Sequence, residues 1–162
     1  MGAEVLAAIA VTFLYGTLVG WLGHWVLHQR WAGPLYRGHM NHHTKQYPPG
    51  DLKSESYRSA GREDSTFIFT PILTLAFALF VYGLVKLNVE AGLLVFVLAE
   101  ALVIGFLHDW VHTQFHLTKT VLDRWGWFRK LRELHFTHHR RMAHNFGIFW
   151  FGWDRVFRTY RR

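Results

Sequence analysis

The chain alternates between three long apolar runs and polar segments. The runs, each about 17 to 19 residues, extend from Val5 to Gly23, from Phe67 to Val85 and from Ala91 to Leu107. A helix of this length covers roughly 25 to 28 Å, close to the thickness of the hydrocarbon core of a bilayer. Buried core helices of a soluble protein are the alternative, but they are usually shorter, about 10 to 14 residues. The pattern predicts an all-α integral membrane protein with about three transmembrane helices in a single domain, 1–162.

The sequence between and after the apolar runs predicts a loop, a hairpin turn and an interfacial segment. The segment from Thr44 to Ser65 contains the helix breaker YPPGD, which predicts a loop. The second and third runs predict a hairpin that turns near Asn88. The closing stretch NFGIFWFGW is too short to span a membrane and is typical of an interfacial segment with tryptophans at the depth of the lipid headgroups.

Basic residues are distributed unevenly around the apolar runs. Of the 18 Lys and Arg residues, six lie between Arg30 and Arg62 and eleven between Lys119 and Arg162, which leaves only Lys86. Because loops rich in Lys and Arg remain in the cytoplasm, we expect both polar segments inside and the N-terminus outside. The first run lacks the basic segment and cleavage site of a signal peptide, so we expect it to remain in the membrane, in a bacterial inner membrane. No nucleic-acid-binding motif accompanies the basic charge, and we expect no nucleic-acid partner.

Histidine is unusually frequent in this chain, which has 12 His and no Cys. Thiolate ligands and disulfides are therefore excluded. Ten of the histidines form the same pattern twice, HxxxH followed by HxxHH. In a helix, side chains three and four residues apart share a face, so HxxxH directs two imidazoles and HxxHH three toward one point. The predicted metal ligands are His24, His28, His39, His42, His43, His108, His112, His135, His138 and His139.

Topology brings these ten side chains to one side of the membrane. The first and third runs cross in the same direction, so both HxxxH pairs lie at cytoplasmic ends and both triplets follow on that side. Ten nitrogen ligands exceed what one metal ion can bind, whereas two ions with about five ligands each leave positions for substrate or oxygen. Imidazole suits iron, copper, nickel and zinc alike, so ligand type does not select the metal. The predicted architecture is a membrane helix bundle with a cytoplasmic His-rich helical cap.

These boxes and the chain's ending resemble those of a known family. The order HxxxH, HxxHH, HxxxH, HxxHH and the closing NFGIFWFGWDRVFRTY are similar to the membrane-bound fatty acid hydroxylase and sterol desaturase superfamily. The resemblance implies a non-haem site with two iron ions, O2 as co-substrate, and hydroxylation or desaturation of a fatty acyl chain, sterol or carotenoid. Carotenoid ring hydroxylases are similarly small but have four residues inside the first and third histidine pairs, where this chain has three. Zinc can replace iron in purified samples of such sites.

The resemblance also implies an external electron donor, such as a ferredoxin or a cytochrome b5-like protein. No haem-binding or flavin-binding domain is evident in the chain. Basic residues on the cytoplasmic side are expected to attract an acidic donor, with contact to lipid headgroups as the alternative role. These residues are Arg129, Lys130, Arg132, Arg140 and Arg141. Two other functions remain open: a histidine-rich zinc membrane protein, either a hydrolase or a metal carrier, and a membrane haem electron carrier.

Imidazole ligands need hydrogen-bond partners that fix their tautomers. Acidic and amide side chains near the boxes are candidates for this role, with helix caps or solvated surface groups as the alternative. Two further histidines lie next to the boxes, and for them a role behind the ligands or at the surface is expected, with metal binding as the alternative. The second-shell candidates are Asp109, Glu133, Asn145, Asp154, His116 and His144.

Small residues lie below both HxxxH pairs and predict a substrate channel. Gly16 and Gly20 precede the first pair at steps of four, and Ala101 and Gly105 lie below the second. We expect a lipid to enter from the bilayer between the first and third spans, with close packing of small residues as the alternative. Glu100 is included because an ionisable group in mid-span is costly. It is expected to bind a polar lipid end or a water, or to pair across the helix interface.

Overall fold

A computed structural model describes residues 2–58 and 69–162, and within these ranges the regular structure is helical. The helices are α1 (Gly2–Leu27), α2 (Pro34–Asn41), α3 (Phe69–Lys86), α4 (Ala91–Phe115), α5 (Gly126–Arg140) and α6 (Gly152–Val156). Three of them, α1, α3 and α4, with 26, 18 and 25 residues, are long and apolar enough to cross a membrane. The three predicted spans are confirmed, although Phe67 and Ile68 of the second lie outside the described residues.

The short elements form a cap beyond the ends of α1 and α4. A 3₁₀ helix, Arg30–Ala32, follows α1, and another, Val121–Arg124, precedes α5. Helix α2 continues directly into a π-helical turn, His42–Gln46, so the predicted loop begins three residues later than Thr44. From Tyr47 to residue 58 the chain is irregular, and the remainder of that predicted loop lies outside the described residues.

Helix α4 is longer than the apolar run that predicted it. It continues without a break from Leu107 to Phe115, and α1 likewise continues to Leu27. Both helices therefore extend the bundle into the cap as rigid elements. His24, His108 and His112 lie on these extensions, where a helix fixes their direction, and His28 directly follows the end of α1.

The three membrane helices contact one another closely. A Cβ built on Gly16 of α1 would lie 2.8 Å from Phe77 of α3 and 3.0 Å from Ile104 of α4. The hydroxyl of Tyr15 donates a hydrogen bond to the carbonyl of Ala76, at 2.9 Å. Asn88, with a φ of 55°, makes the turn between α3 and α4. The predicted hairpin is confirmed.

Asp109 of α4 caps the described start of α3. Its carboxylate accepts hydrogen bonds from the backbone N–H groups of Phe69, at 2.9 Å, and Thr70, at 2.8 Å, and from the Thr70 hydroxyl. A carboxylate at a helix N-terminus satisfies orphan N–H groups and interacts favourably with the helix dipole. This contact fixes the height of α3 relative to α4, and it places Phe69 beside the histidines.

The segment 145–151 lies along α1 rather than at the surface of the cap. The ring of Trp150 contacts Phe13, with centroids 5.6 Å apart, and the indole N–H of Trp153 donates to the hydroxyl of Thr17, at 3.1 Å. Phe13 is 11 residues before His24, about 16 Å along the helix. The tryptophans therefore reach deeper along the span than the sequence alone predicts.

Candidate metal centre

Two groups of five imidazoles lie side by side in the cap. Within each group the candidate ligand atoms are all within 4.8 Å of one another. The first histidine group consists of His24, His28, His39, His43 and His138. The second histidine group consists of His42, His112, His116, His135 and His139. The rings of His43 and His139 join the two groups, with centroids 4.1 Å apart.

Each HxxHH triplet is divided between the two groups. His39 and His43 belong to the first group, whereas His42, one position earlier than His43, points into the second. In α5, residues 135 and 139 belong to the second group and residue 138 to the first. Neighbouring positions on a helix differ by about 100° in direction, so adjacent histidines serve different centres. Each triplet was predicted to direct its three side chains toward one point. In the structure, each triplet instead contributes side chains to both histidine groups.

Backbone carbonyls fix the orientation of four of these imidazoles. In the first group, Nδ1 of His24 lies 2.7 Å from the carbonyl of Phe146, and Nδ1 of His138 lies 2.7 Å from the carbonyl of His144. Carbonyls can only accept, so each Nδ1 carries the proton and each Nε2 presents a lone pair. Imidazole ligands are commonly held in this way by a hydrogen bond to the other ring nitrogen.

The second group is held by the same type of contact. Nδ1 of His139 lies 2.9 Å from the carbonyl of Tyr47, and Nδ1 of His116 lies 2.9 Å from the carbonyl of Leu52. Sequence reasoning sought side-chain acceptors and missed these carbonyls, because every residue has one and no residue type marks it.

The outward nitrogens fit a bound cation. Nε2 of His24 and Nε2 of His139 are buried lone pairs without a hydrogen-bond partner in the described part of the chain. Nε2 of His138, also a lone pair, lies 3.0 Å from Nε2 of His28. A buried acceptor without a donor is costly. Since nitrogen lone pairs repel one another, a metal ion in each group would satisfy them.

Burial keeps the imidazoles neutral, as metal ligands must be. Burial lowers the pKa of His28 to about 4 and that of His42 to about 4. It also lowers the pKa values of other cap histidines well below the ordinary value, and neighbouring imidazoles lower them further. These are His39, His43, His116, His135, His138 and His139.

Comparison with known protein families agrees with this site. The sequence profile described as fatty acid hydroxylase matches residues 9–159. The chain belongs to the fatty acid hydroxylase family. Searches of curated proteins and of solved structures returned no match. Family membership together with the two histidine groups supports oxidation of a lipid at a histidine-rich metal site.

The two histidine groups of this fatty acid hydroxylase family member differ from the predicted ligand set at two positions. His116 lies in the second group, whereas His108 lies in neither. Residues 108, 112 and 116 share a helix face, so HxxxH fits both the first two and the last two. His108 instead lies against Gly20 of α1 and the ring of Phe149, 4.5 Å away between centroids, and its Nδ1 is 2.9 Å from the carbonyl of Ile104.

Asp154 stabilises the loop that holds the first group. Its carboxylate accepts from the indole N–H of Trp21 at 3.1 Å, the N–H of Phe146 at 2.7 Å, the N–H of Gly147 at 2.8 Å and the hydroxyl of Thr159 at 2.7 Å. Because the carbonyl of Phe146 accepts from His24, Asp154 positions that imidazole through one residue of backbone.

The other residues predicted to support the imidazoles make contacts of different kinds. Asn145 bonds to the backbone of Leu134 and Arg161, Asp109 caps α3, and His144 contributes its carbonyl. Glu133 is exposed on α5.

The predicted channel residues separate into two sets. Gly16 and Gly20 pack α1 against its neighbours, and a side chain on Gly20 would collide with His108. Ala101 and Gly105 line a groove between α3 and α4 instead. Glu100 is half-buried, is not among the residues that line this groove, and has a buried Oε2 without a hydrogen-bond partner in the described ranges. Within the described ranges, the groove that Ala101 and Gly105 line therefore lies between the second and third spans, on the other side of α4 from the predicted channel.

Proposed function

We propose that the protein catalyses O2-dependent hydroxylation or desaturation of a lipid at two iron ions, one in each histidine group. The substrate is a fatty acyl chain, a sterol or a carotenoid. The observation that carries the proposal is the pair of five-imidazole groups, whose ligand atoms lie within 4.8 Å of one another in each group. The family match supports it. Zinc can occupy the same nitrogen ligands in purified protein.

The residues of the cap would hold the metal and keep water away. Iron bound there would supply the chemistry that activates O2. Five neutral imidazoles leave coordination room beside each ion for oxygen or substrate. Phe69 and Phe146 pack against the histidine rings, and both are buried. Apolar walls of this kind exclude solvent from a reacting centre.

Electrons would come from an acidic one-electron carrier, such as a ferredoxin or a cytochrome b5-like protein, that docks over the second group. A depression of ≈ 270 Å³ lies at this surface between Lys53, on the loop that holds the second group, and Arg140, at the end of α5. Its floor includes Phe136, which contacts His116 at 6.1 Å between ring centroids. Leu52 lines the same depression, and its carbonyl accepts from His116.

Four of the five predicted basic surface residues are exposed, and one is buried. Arg129, Lys130, Arg140 and Arg141 are exposed and available to an acidic partner. Arg132 is buried; its guanidinium pairs with Asp123 at 2.7 Å. Docking would therefore depend on the exposed charges, together with Lys53.

The orientation that fits this function places the cap in the cytoplasm of a bacterium, at the inner membrane, with the N-terminus outside. The distribution of Lys and Arg supports it. Soluble reduced carriers are found on that side. Reactivity of single cysteines introduced at Glu4 and Glu133 toward a membrane-impermeant thiol reagent, in intact and in permeabilised cells, tests this orientation.

Comparative lipid mass spectrometry tests the reaction. Cells that express the wild type should accumulate a lipid that has gained one oxygen or lost two hydrogens. His138→Ala and His139→Ala, which each remove one ligand from a different group, should abolish this product. Arg37→Ala, exposed on α2 and in neither the histidine groups nor the depression, is the control and should retain it.

Metal analysis separates this proposal from the two other functions. The purified wild type should contain iron and consume O2 in the presence of a reduced donor. A Soret band would instead indicate a haem carrier. Lipid profiles that are identical in cells with and without the protein, for every lipid class, would contradict the oxygenase function.

A further inference from the structure

The hairpin of α3 and α4 encloses a groove of ≈ 560 Å³, called here the α3–α4 groove. Its lining is almost entirely apolar. Helix α3 contributes Thr70, Thr74 and Ala78, and helix α4 contributes Leu102, Gly105 and Phe106. Gly105 keeps the groove open, because a Cβ at this position would meet nothing within 4 Å in the described ranges.

The surroundings of this groove determine what can fill it. Both helices that form it are long and apolar enough to span a membrane, so the medium around it is hydrocarbon. Leu79 of α3 and Leu102 of α4 are largely exposed, as lipid-facing side chains are. A polar solute would lose its hydration without gaining partners there. A lipid chain would exchange one apolar environment for another.

The cytoplasmic end of the groove reaches the histidines. Thr70, at this end, follows Phe69, whose ring centroid lies 5.5 Å from that of His24 and 5.8 Å from that of His112. From Gly105 the groove extends to Leu98, seven residues toward the other end of the span, or about 10 Å. The groove thus connects the interior of the bilayer with the layer of side chains below the metal centre.

The other possible route, between α1 and α4, is closed by side-chain packing. Gly20 of α1 lies directly against His108 of α4, and Phe149 covers the same imidazole. Gly16 is in contact with Phe77 and Ile104. A chain that approached between α1 and α4 would have to displace these contacts.

We propose that an acyl chain of the substrate lipid occupies the α3–α4 groove and that Gly105 sets how far it extends toward the histidines. This inference rests on the proposed function, since it identifies the access route of the same reaction.

Substitution of Gly105 tests the groove through turnover. Metal-loaded protein in phosphatidylcholine vesicles would be assayed with a reduced donor. Gly105→Leu should reduce lipid oxidation by about a hundredfold, because a displaced chain no longer reaches the reacting geometry. Gly105→Ala should cause a smaller loss. Metal content and unfolding temperature should remain at wild-type values.

Gly83→Leu is the matched control. Gly83 is also a glycine of a membrane helix with nothing within 4 Å of a built Cβ in the described ranges, but it does not line the groove. Its substitution should leave turnover unchanged. Equal turnover by the wild type and Gly105→Leu would overturn the proposal. Equal losses in Gly105→Leu and Gly83→Leu would also overturn it, since they would reflect general helix crowding.

Direct labelling separates the groove from the reaction. Vesicles would contain phosphatidylcholine with a diazirine in the acyl chain, and cross-linked peptides would be mapped by mass spectrometry. Gly105→Leu should lose labelling at Leu73 and Ala101, which line the groove and are buried from the surrounding lipid, and should retain labelling on the outer face of α1, whereas Gly83→Leu should label as the wild type does. Labelling that persists in the groove of Gly105→Leu overturns the inference. Groove labelling without any oxidised lipid supports the groove and contradicts the proposed function.

Discussion

The first histidine group is held by a buried loop, whereas the second is held by a loop at the surface. In the first, the carbonyls of His144 and Phe146 orient the imidazoles, and Phe146 is only 3% exposed. In the second, the carbonyls of Tyr47 and Leu52 do so, and the residues between them include the exposed Pro49. The two histidine groups are therefore supported by loops that differ in burial.

The side chains that hold the two loops also differ in burial, with the first loop held from the core and the second from the surface. Asp154, which is fully buried, accepts four hydrogen bonds that hold the first loop. Arg58 holds the second loop from outside: its guanidinium donates to the carbonyl of Gln46, at 2.6 Å, and pairs with Asp51, at 2.6 Å. Buried charge-assisted hydrogen bonds contribute far more than exposed ion pairs. The first group is thus held by contacts in the core, and the second by a loop whose supporting ion pair lies at the surface.

The largest effect is expected at Asp154. Asp154→Ala leaves buried N–H donors on Phe146, Gly147 and Trp21 without acceptors, at a cost of about 4 kcal/mol of folding free energy. Metal bound to the first group should be lost, so that metal per chain falls by about half, while the second group retains its ion. Elemental analysis and thermal unfolding measure both effects.

Asp51→Ala is the matched comparison, because it removes an exposed aspartate from the other loop. It should change neither metal content nor unfolding by a comparable amount. Asp154→Asn, which keeps the shape of the side chain, should give an intermediate result. Full metal content in a stable Asp154→Ala protein would show that the loop does not position His24.

The second prediction concerns Asn145, which closes the first loop against the C-terminal segment. Its amide donates to the carbonyls of Leu134, at 3.1 Å, and Arg161, at 2.6 Å, and its carbonyl accepts from the N–H of Arg161, at 2.8 Å. Its φ of 58° is unfavourable for residues with a Cβ. Asn145→Ala should destabilise the fold by about 1 to 2 kcal/mol more than Asn145→Gly, which loses the same hydrogen bonds without the strain. Equal unfolding temperatures would contradict this account.

The third prediction tests access to the second group. Reversal of charge by Lys53→Glu and Arg140→Glu together should raise the KM for an acidic donor roughly tenfold at low salt, because charge steers association. The effect should decrease as salt rises. Arg37→Glu, an exposed change on α2 beside a ligand of the first group, should have little effect. Similar KM changes in both variants would contradict a docking site over the second group.

The sequence was sufficient for the spans and for nine of the ten histidines that the structure brings together, because both follow from periodicity. Apolar runs of bilayer length predict helices, and histidines at steps of three and four predict a shared face. The choice between His108 and His116 could not be made in this way, since both are four residues from His112. It depends on the close contact of Gly20 with His108, a property of how α1 packs on α4.

Two further features also depend on packing. The carbonyls that orient the imidazoles belong to the backbone of Tyr47, Leu52, His144 and Phe146, and their residue types carry no signal. The α3–α4 groove lies on the side of Gly105 that faces α3. The sequence analysis predicted Gly105 to line a channel between α1 and α4. The sequence does not show which neighbouring helix faces a glycine, so the side toward α3 could not be predicted.

The smallest effect is expected at the exposed pair that supports the second group. The hydrogen bond from Arg58 lowers the pKa of the Asp51 carboxyl below its ordinary value of 3.8. A carboxyl with a lowered folded-state pKa stabilises the fold above its unfolded-state value, and this contribution is lost as the pH falls through the folded-state value. The difference in unfolding temperature between the wild type and Asp51→Asn should therefore be slight at neutral pH, decrease in high salt, and disappear once the pH has fallen below the lowered folded-state pKa of Asp51. Metal content should be the same in both proteins at neutral pH. A difference that grows as the pH falls, or a loss of metal from the second group, would mean that this loop is held as firmly as the first and would remove the contrast between the two centres.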